Sequence, residues 1–170
     1  YSATIYATKK WERIKFYSER SIIEFREEKD FSKFYNLLAD NDGFLLDYAF
    51  YLRNKKDYSK SMDILKRGYT ISNNPIFALS IAELNENLGN EDEAELYYKK
   101  TCAMVPSKLY PLYKLAYYYY NTKRHEDFRR LANYIIHFSP KITSKRTDMM
   151  KEDIIELLDI KVKCINPTKY

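Results

Sequence analysis

The chain has 170 residues, a formal net charge of +5, 45% hydrophobic and 16% aromatic residues, and only three glycines and five prolines. That length holds one ordinary domain or one short solenoid with a buried core. Such sparse turn-forming sequence excludes a sandwich or barrel. No stretch approaches the roughly 18 uninterrupted apolar residues of a membrane-spanning helix, and Tyr1 opens no signal-peptide pattern. The polypeptide as given is therefore expected to be soluble. A chain that opens on Tyr reads as a piece of a longer one, so missing targeting signals say little about where the parent resides.

The first predicted element lies in residues 1–40. Trp11, Ile14, Phe16, Tyr17, Ile22, Ile23, Phe25, Phe31, Phe34, Tyr35, Leu37 and Leu38 fall on helical spacing, which reads as a degenerate leading helical hairpin. Three repeats follow over 41–140, at about 42–74, 75–108 and 109–140. Ala49, Ala82 and Ala116 are spaced by 33 and then 34 residues, each inside an aromatic and aliphatic run, and Ser61, Ala94 and Phe128 form a second column twelve residues later. A third column is Asn73, Pro106 and Pro140. Each unit thus has two amphipathic helices joined by a short turn, with small residues where the helices cross closely.

Local signals set the element ends. Asn74 before Pro75 gives an N-cap with proline at the first helical position, and Asn90 with Glu93 has the spacing of a capping box. Pro106 and Pro140 stop the second helices of their units. Asn54, Asn87 and Asn121 recur where each first helix ends and read as C-caps, since Asn tolerates the left-handed conformation. Over 141–160, Ser144 is expected to cap a final helix with Met149, Met150, Ile154, Leu157 and Leu158 on its apolar face. Lys145, Arg146, Lys151, Glu152, Asp153 and Glu156 form its solvated face. Residues 161–170 read as a frayed tail, and the whole as one domain.

These columns resemble the tetratricopeptide repeat. The middle unit matches best, with Ala82, Gly89, Ala94, Tyr98 and Pro106 in place. The others depart: Lys56 and Lys123 stand where glycine is usual, and Phe128 replaces the second-helix alanine, which implies a wider crossing in the third hairpin. The expected fold class is all-α, a right-handed solenoid of tetratricopeptide-type hairpins with a C-terminal capping helix. The stretches MVPSKLYPLYKLAYYYY and KITSKRTDMMKEDIIELL are further similar to the repeat domain at the C-terminus of O-antigen ligase and polymerase-like membrane proteins of Bacteroides-type bacteria. The Val105-Pro106, Tyr110-Pro111 and Met150-Lys151 pairs carry that likeness, and Thr147 departs from it. The resemblance implies a parent whose membrane portion handles lipid-linked glycans, with this chain as its soluble, extracytoplasmic appendage.

Sites of chemistry are not expected. His125 and His137 have no Ser, Cys or carboxylate at a motif spacing, and Cys102 and Cys164 have no metal-ligand spacing. The two thiols read as unpaired structural residues. Paired acids such as Asp92-Glu93 complement helix dipoles, and no glycine-rich phosphate loop exists. Catalytic residues, metal and cofactor are all expected to be none, so this fragment reads as no enzyme.

The candidate site is instead a surface. In tetratricopeptide arrays the first helices line a concave groove. The corresponding positions here include Phe50 and Arg53 in the first unit, Glu83 in the second, and Tyr110, Tyr113, Lys114, Tyr117 and Tyr120 in the third. A tyrosine stripe offers flat apolar faces with hydroxyl rims, suited to a protein, peptide or glycan segment. Packing against a neighbouring helix is the competing reading, and Tyr118 and Tyr119 belong partly to the core because four consecutive tyrosines cannot all face one way. Two alternatives of other classes remain. Residues 1–98 carry 14 basic against 17 acidic residues while residues 99–170 carry 15 against 7, so the C-terminal half could bind nucleic acid or another anionic surface. The array could also serve structural self-association.

Overall fold

The computed structural model describes residues 28–141 and 143–165. Residues 1–27 of the expected leading hairpin, the last five residues and the Cys164 side chain lie outside them. Eight helices occur among the described residues, and no strand. In chain order they are α1 (Glu28–Leu38), α2 (Asp42–Asn54), α3 (Tyr58–Ser72), α4 (Pro75–Leu88), α5 (Glu91–Met104), α6 (Leu109–Asn121), α7 (His125–His137) and α8 (Lys145–Ile165). The fold is the all-helical array of hairpins that the period predicts. The chain divides into two compact units, one ending at Phe77 and one beginning at Ala78.

In the first unit, α2 and α3 form the hairpin. Asn41 caps α2 by accepting a 2.9 Å hydrogen bond from the Phe44 amide, and Asp57 caps α3 by accepting one from Lys60. The buried face of α2 is Phe44, Leu45, Tyr48, Ala49 and Leu52, and that of α3 is Ser61, Ile64, Leu65 and Gly68. The first two small-residue columns meet: the Ser61 hydroxyl donates a 2.8 Å bond to the Ala49 carbonyl. Here a serine replaces alanine at no desolvation cost because the neighbouring helix supplies its acceptor. Phe31 from α1 stacks on Tyr48 with ring centroids 4.8 Å apart.

The second unit is centred on Ala82, Ala94, Tyr98, Ala116, Tyr118, Phe128, Ala132 and Ile135, all at 1% exposure or less. Phe128 is fully accommodated in this core, with Tyr120 edge-on to its ring at 5.4 Å. Met150 and Ile154 bury α8 against the same cluster, and α8 extends past residue 160, where it was expected to end, to Ile165. Ser144 and Thr147 cap it reciprocally: the Thr147 amide donates to the Ser144 hydroxyl and the Ser144 amide to the Thr147 hydroxyl. Thr147 thus has a capping role.

The turns correct two expectations. Within the three hairpin turns the left-handed residues are Lys56, Gly89 and Lys123, with φ of 64°, 76° and 59°, two positions beyond the recurrent asparagines. In each turn the next amide reaches five residues back: Asp57 to Leu52, Asn90 to Asn85, and Arg124 to Tyr119, at 3.0, 3.0 and 2.9 Å. That is a Schellman closure, which places the left-handed residue beyond the helix and leaves Asn54 and Asn121 as ordinary last helical residues. Asn90 also fails as a capping box. Its side chain makes no cap bond and its Nδ2 donates instead to Oδ1 of Asn85, which the turn brings near, at 3.1 Å. Asn74 behaves as expected, accepting from the Ile76 amide at 3.0 Å. At the third column, α5 ends at Met104 and α7 at His137, just ahead of Pro106 and Pro140, while Asn73 closes α3 in the left-handed conformation.

Candidate partner-binding surface

The residues singled out from the sequence divide between the two units. Phe50 and Arg53 lie on α2, in the first. Phe50 is 55% exposed, and the Arg53 guanidinium sits 5.2 Å from its ring centroid. The other six belong to the second unit.

There, α6 carries the tyrosine row. Tyr110 is exposed, Tyr113 and Tyr117 are half-buried, and their rings follow one another at 6.5 and 4.8 Å. The spacing of three and four residues places them on one face of the helix. Tyr118 and Tyr119 point the other way and are buried, as the geometry of four consecutive tyrosines requires. Tyr120 turns toward its own hairpin partner, Phe128, so it completes the core edge and does not extend the row.

Charged side chains flank the row. Lys114 bonds Glu83 of α4 at 2.7 Å. Burial pulls the Lys114 ammonium down, but the Glu83 carboxylate outweighs it and holds the group above its ordinary value. One turn along α4, Glu86 accepts a 2.5 Å bond from the buried Tyr98 hydroxyl, and burial followed by that carboxylate drives the phenol upward. On the other side of the row stands α8. Tyr113 donates to Asp153 at 2.9 Å, and the Arg146 guanidinium lies 5.1 Å from the Tyr110 centroid. Burial, then its bonds with Tyr117 and Asp153, raises the Tyr113 phenol above its usual range.

The sequence placed Arg146, Lys151 and Asp153 on the solvated face of the last helix. All three reach back: Lys151 donates to the Ile136 carbonyl at 3.0 Å, and the other two engage the tyrosines. Only the side-chain length of α8 residues hinted at this, because long polar groups beside an apolar stripe can fold over it.

A second cluster escaped the sequence reading. Glu95 of α5 accepts bonds from Arg124, from Tyr119 at 2.8 Å and from Lys99 at 2.7 Å. Asp127 bonds the same Arg124 at 2.7 Å, and that guanidinium lies 4.6 Å from the Tyr119 centroid. Burial pushes the Glu95 carboxyl up, yet the bonds from Arg124, Lys99 and Tyr119 prevail and hold it at about 2. Every member is satisfied by another, which marks a structural clamp between hairpins. Cys102, a free thiol, is pushed up to about 11 by burial. Among the described residues no group of acids, histidines and cysteines could hold a metal, and no helix is long and apolar enough to cross a membrane.

Against solved structures, a chain of the CopN-Scc3 complex superposes with a TM-score of 0.60 at 16% sequence identity, over 82% of this chain and 84% of that one. The two share a fold. At that identity the likeness concerns architecture alone. No protein-family model and no curated protein matches the chain.

Proposed function

We propose that the chain is a non-catalytic interaction module that captures an extended protein or peptide segment along the tyrosine row of α6. The observation that carries this is the row of Tyr110, Tyr113 and Tyr117 on one face of α6, half-open to solvent and supported from behind by a satisfied core. Aromatic rings held by packing bind at small entropic cost and present a hydroxyl at their rim. The structural neighbour, itself a complex of two proteins by its description, supports a protein partner over a glycan.

Pairing reduces the anionic-surface alternative only slightly. Of the carboxylates bonded by Lys99, Lys114, Arg124 and Arg129, only Glu83 and Glu95 come from outside residues 99–170, so they offset two of the eight excess positive charges of that stretch. The resemblance to O-antigen ligase and polymerase-like proteins supports a further proposal, that the module is the extracytoplasmic part of a membrane protein handling lipid-linked glycans. In that arrangement the chemistry belongs to the membrane portion.

The test is a peptide array probed with the chain and with a Tyr110→Ala, Tyr117→Ala variant. These two residues are chosen because Tyr113 also fastens α8. Retained peptides should lose about tenfold or more in affinity, as for aromatic anchors, with the helical circular-dichroism signal unchanged. Binding that survives both substitutions would remove the row from the function.

A further inference from the structure

The tyrosine row is not electrostatically even along its length. Two contacts fix the direction of α8 beside α6: Tyr110 meets Arg146 and Tyr113 meets Asp153, so the helices run parallel and their N-terminal ends lie together. At that end stand Lys108, the N-cap residue of α6, and Lys145 and Arg146, the first residues of α8. All three are exposed. None forms an ion pair among the described residues. Asp148 is the one acid in the first turn of α8, so the local balance stays positive. Further along the row the charge is balanced or negative: Lys114 is paired with Glu83, while the Asp153 and Glu86 carboxylates accept from the neutral hydroxyls of Tyr113 and Tyr98 and keep their charge.

Building on the peptide-binding reading, we propose that this end of the row selects an extended peptide carrying carboxylates beside an apolar side chain. The apolar group would lie on Tyr110 and on Met149, one helical turn beyond Arg146 and 53% exposed. The carboxylates would meet Arg146, Lys145 and Lys108. Arg146 suits this role because stacking on Tyr110 holds its planar fork in place, leaving its N–H edges free for bidentate recognition. Unpaired cations at one end and carboxylates at the other also fix the direction in which a peptide lies.

The experiment uses three synthetic peptides of roughly twelve residues, long enough to cross the row when extended. They share alternating phenylalanines and differ only in carrying Glu, Gln or Lys between them. Binding is read by fluorescence anisotropy against the full chain. The Glu peptide should bind about tenfold tighter than the Gln peptide, with the Lys peptide weakest, and the preference should shrink as salt rises from about 50 to about 500 mM. Arg146→Glu should invert the order of the Glu and Lys peptides, while Arg146→Gln, which keeps the stem over Tyr110, should merely abolish the preference. If the Gln peptide binds as tightly as the Glu peptide and still depends on Tyr110, the charge selection is wrong and the row remains a peptide site. If no peptide binds, both readings fall. Unaltered affinity of the Glu peptide for a folded Arg146→Glu chain would likewise overturn the selection.

Discussion

Lys56 and Lys123 hold backbone conformations that a side chain resists. Their φ values of 64° and 59° match that of Gly89 at the equivalent turn, but a Cβ in the left-handed region meets the following carbonyl at a cost of about 1–2 kcal/mol. Glycine removes that strain and returns part of the gain as unfolded-state entropy. Each of Lys56→Gly and Lys123→Gly should therefore stabilise its hairpin by about 0.5–1 kcal/mol, seen as a higher urea midpoint at unchanged slope; a lower midpoint would mean the lysine side chains hold the turns. Glu95 gives a pH-dependent counterpart. Its carboxyl is depressed from an ordinary 4.5 to about 2, so the bound carboxylate stabilises the fold above about 4.5 and that contribution fades as pH falls toward 2. Arg124 is 35% exposed, and solvent screening reduces the effect to about 1–2 kcal/mol. Glu95→Gln should lose that amount at pH 7 and flatten the decline of stability between pH 4.5 and 2, as followed by urea titrations across the range.

Between elements, the decisive contact is one of absence. Gly68 on α3 is buried, and a Cβ there would fall within the ring of Phe77, which is itself fully buried. The glycine lets the second helix of one hairpin approach the start of the next. Gly68→Ala should cost about 1–3 kcal/mol through overpacking, despite the better helix propensity of alanine. Adding Phe77→Leu, which vacates part of the space, should recover some of the loss, and additive losses in the double variant would refute the clash. Gly68, Thr101 and Ile135 recur at the same 33 and 34 residues as the alanines, so this column was available from the period. It was hidden because its members differ in size while sharing only burial. The capping box at Asn90 failed for a related reason: the motif sets a spacing, but the Schellman turn carries Asn90 next to Asn85 and spends its amide there.

Across the molecule, the period carried what is one-dimensional: which residues form hairpins, where the small residues meet and where the turns fall. A stack of this kind is governed by nearest-neighbour packing, so a fixed spacing in sequence becomes a fixed contact in space. The site was legible only in part for the same reason. The tyrosines could be assigned to one face of α6, but their engagement by Arg146 and Asp153 spans residues 36 and 40 apart along the chain, outside the repeat and on a helix that replaces it. That final helix should therefore control the local stability of the row. Ile154 is fully buried and fastens α8 to the core that holds α6 and α7. Ile154→Ala leaves a cavity worth about 2–4 kcal/mol. In a quasi-one-dimensional stack the loss falls first on the terminal layer, so amide hydrogen exchange should accelerate most in α8 and next in α6 and α7. Amides of α2 and α3, which pack on each other in the first compact unit, should keep their protection. Uniform loss of protection throughout the chain would show a single cooperative block and exclude local release of α8 as a way to uncover Tyr113.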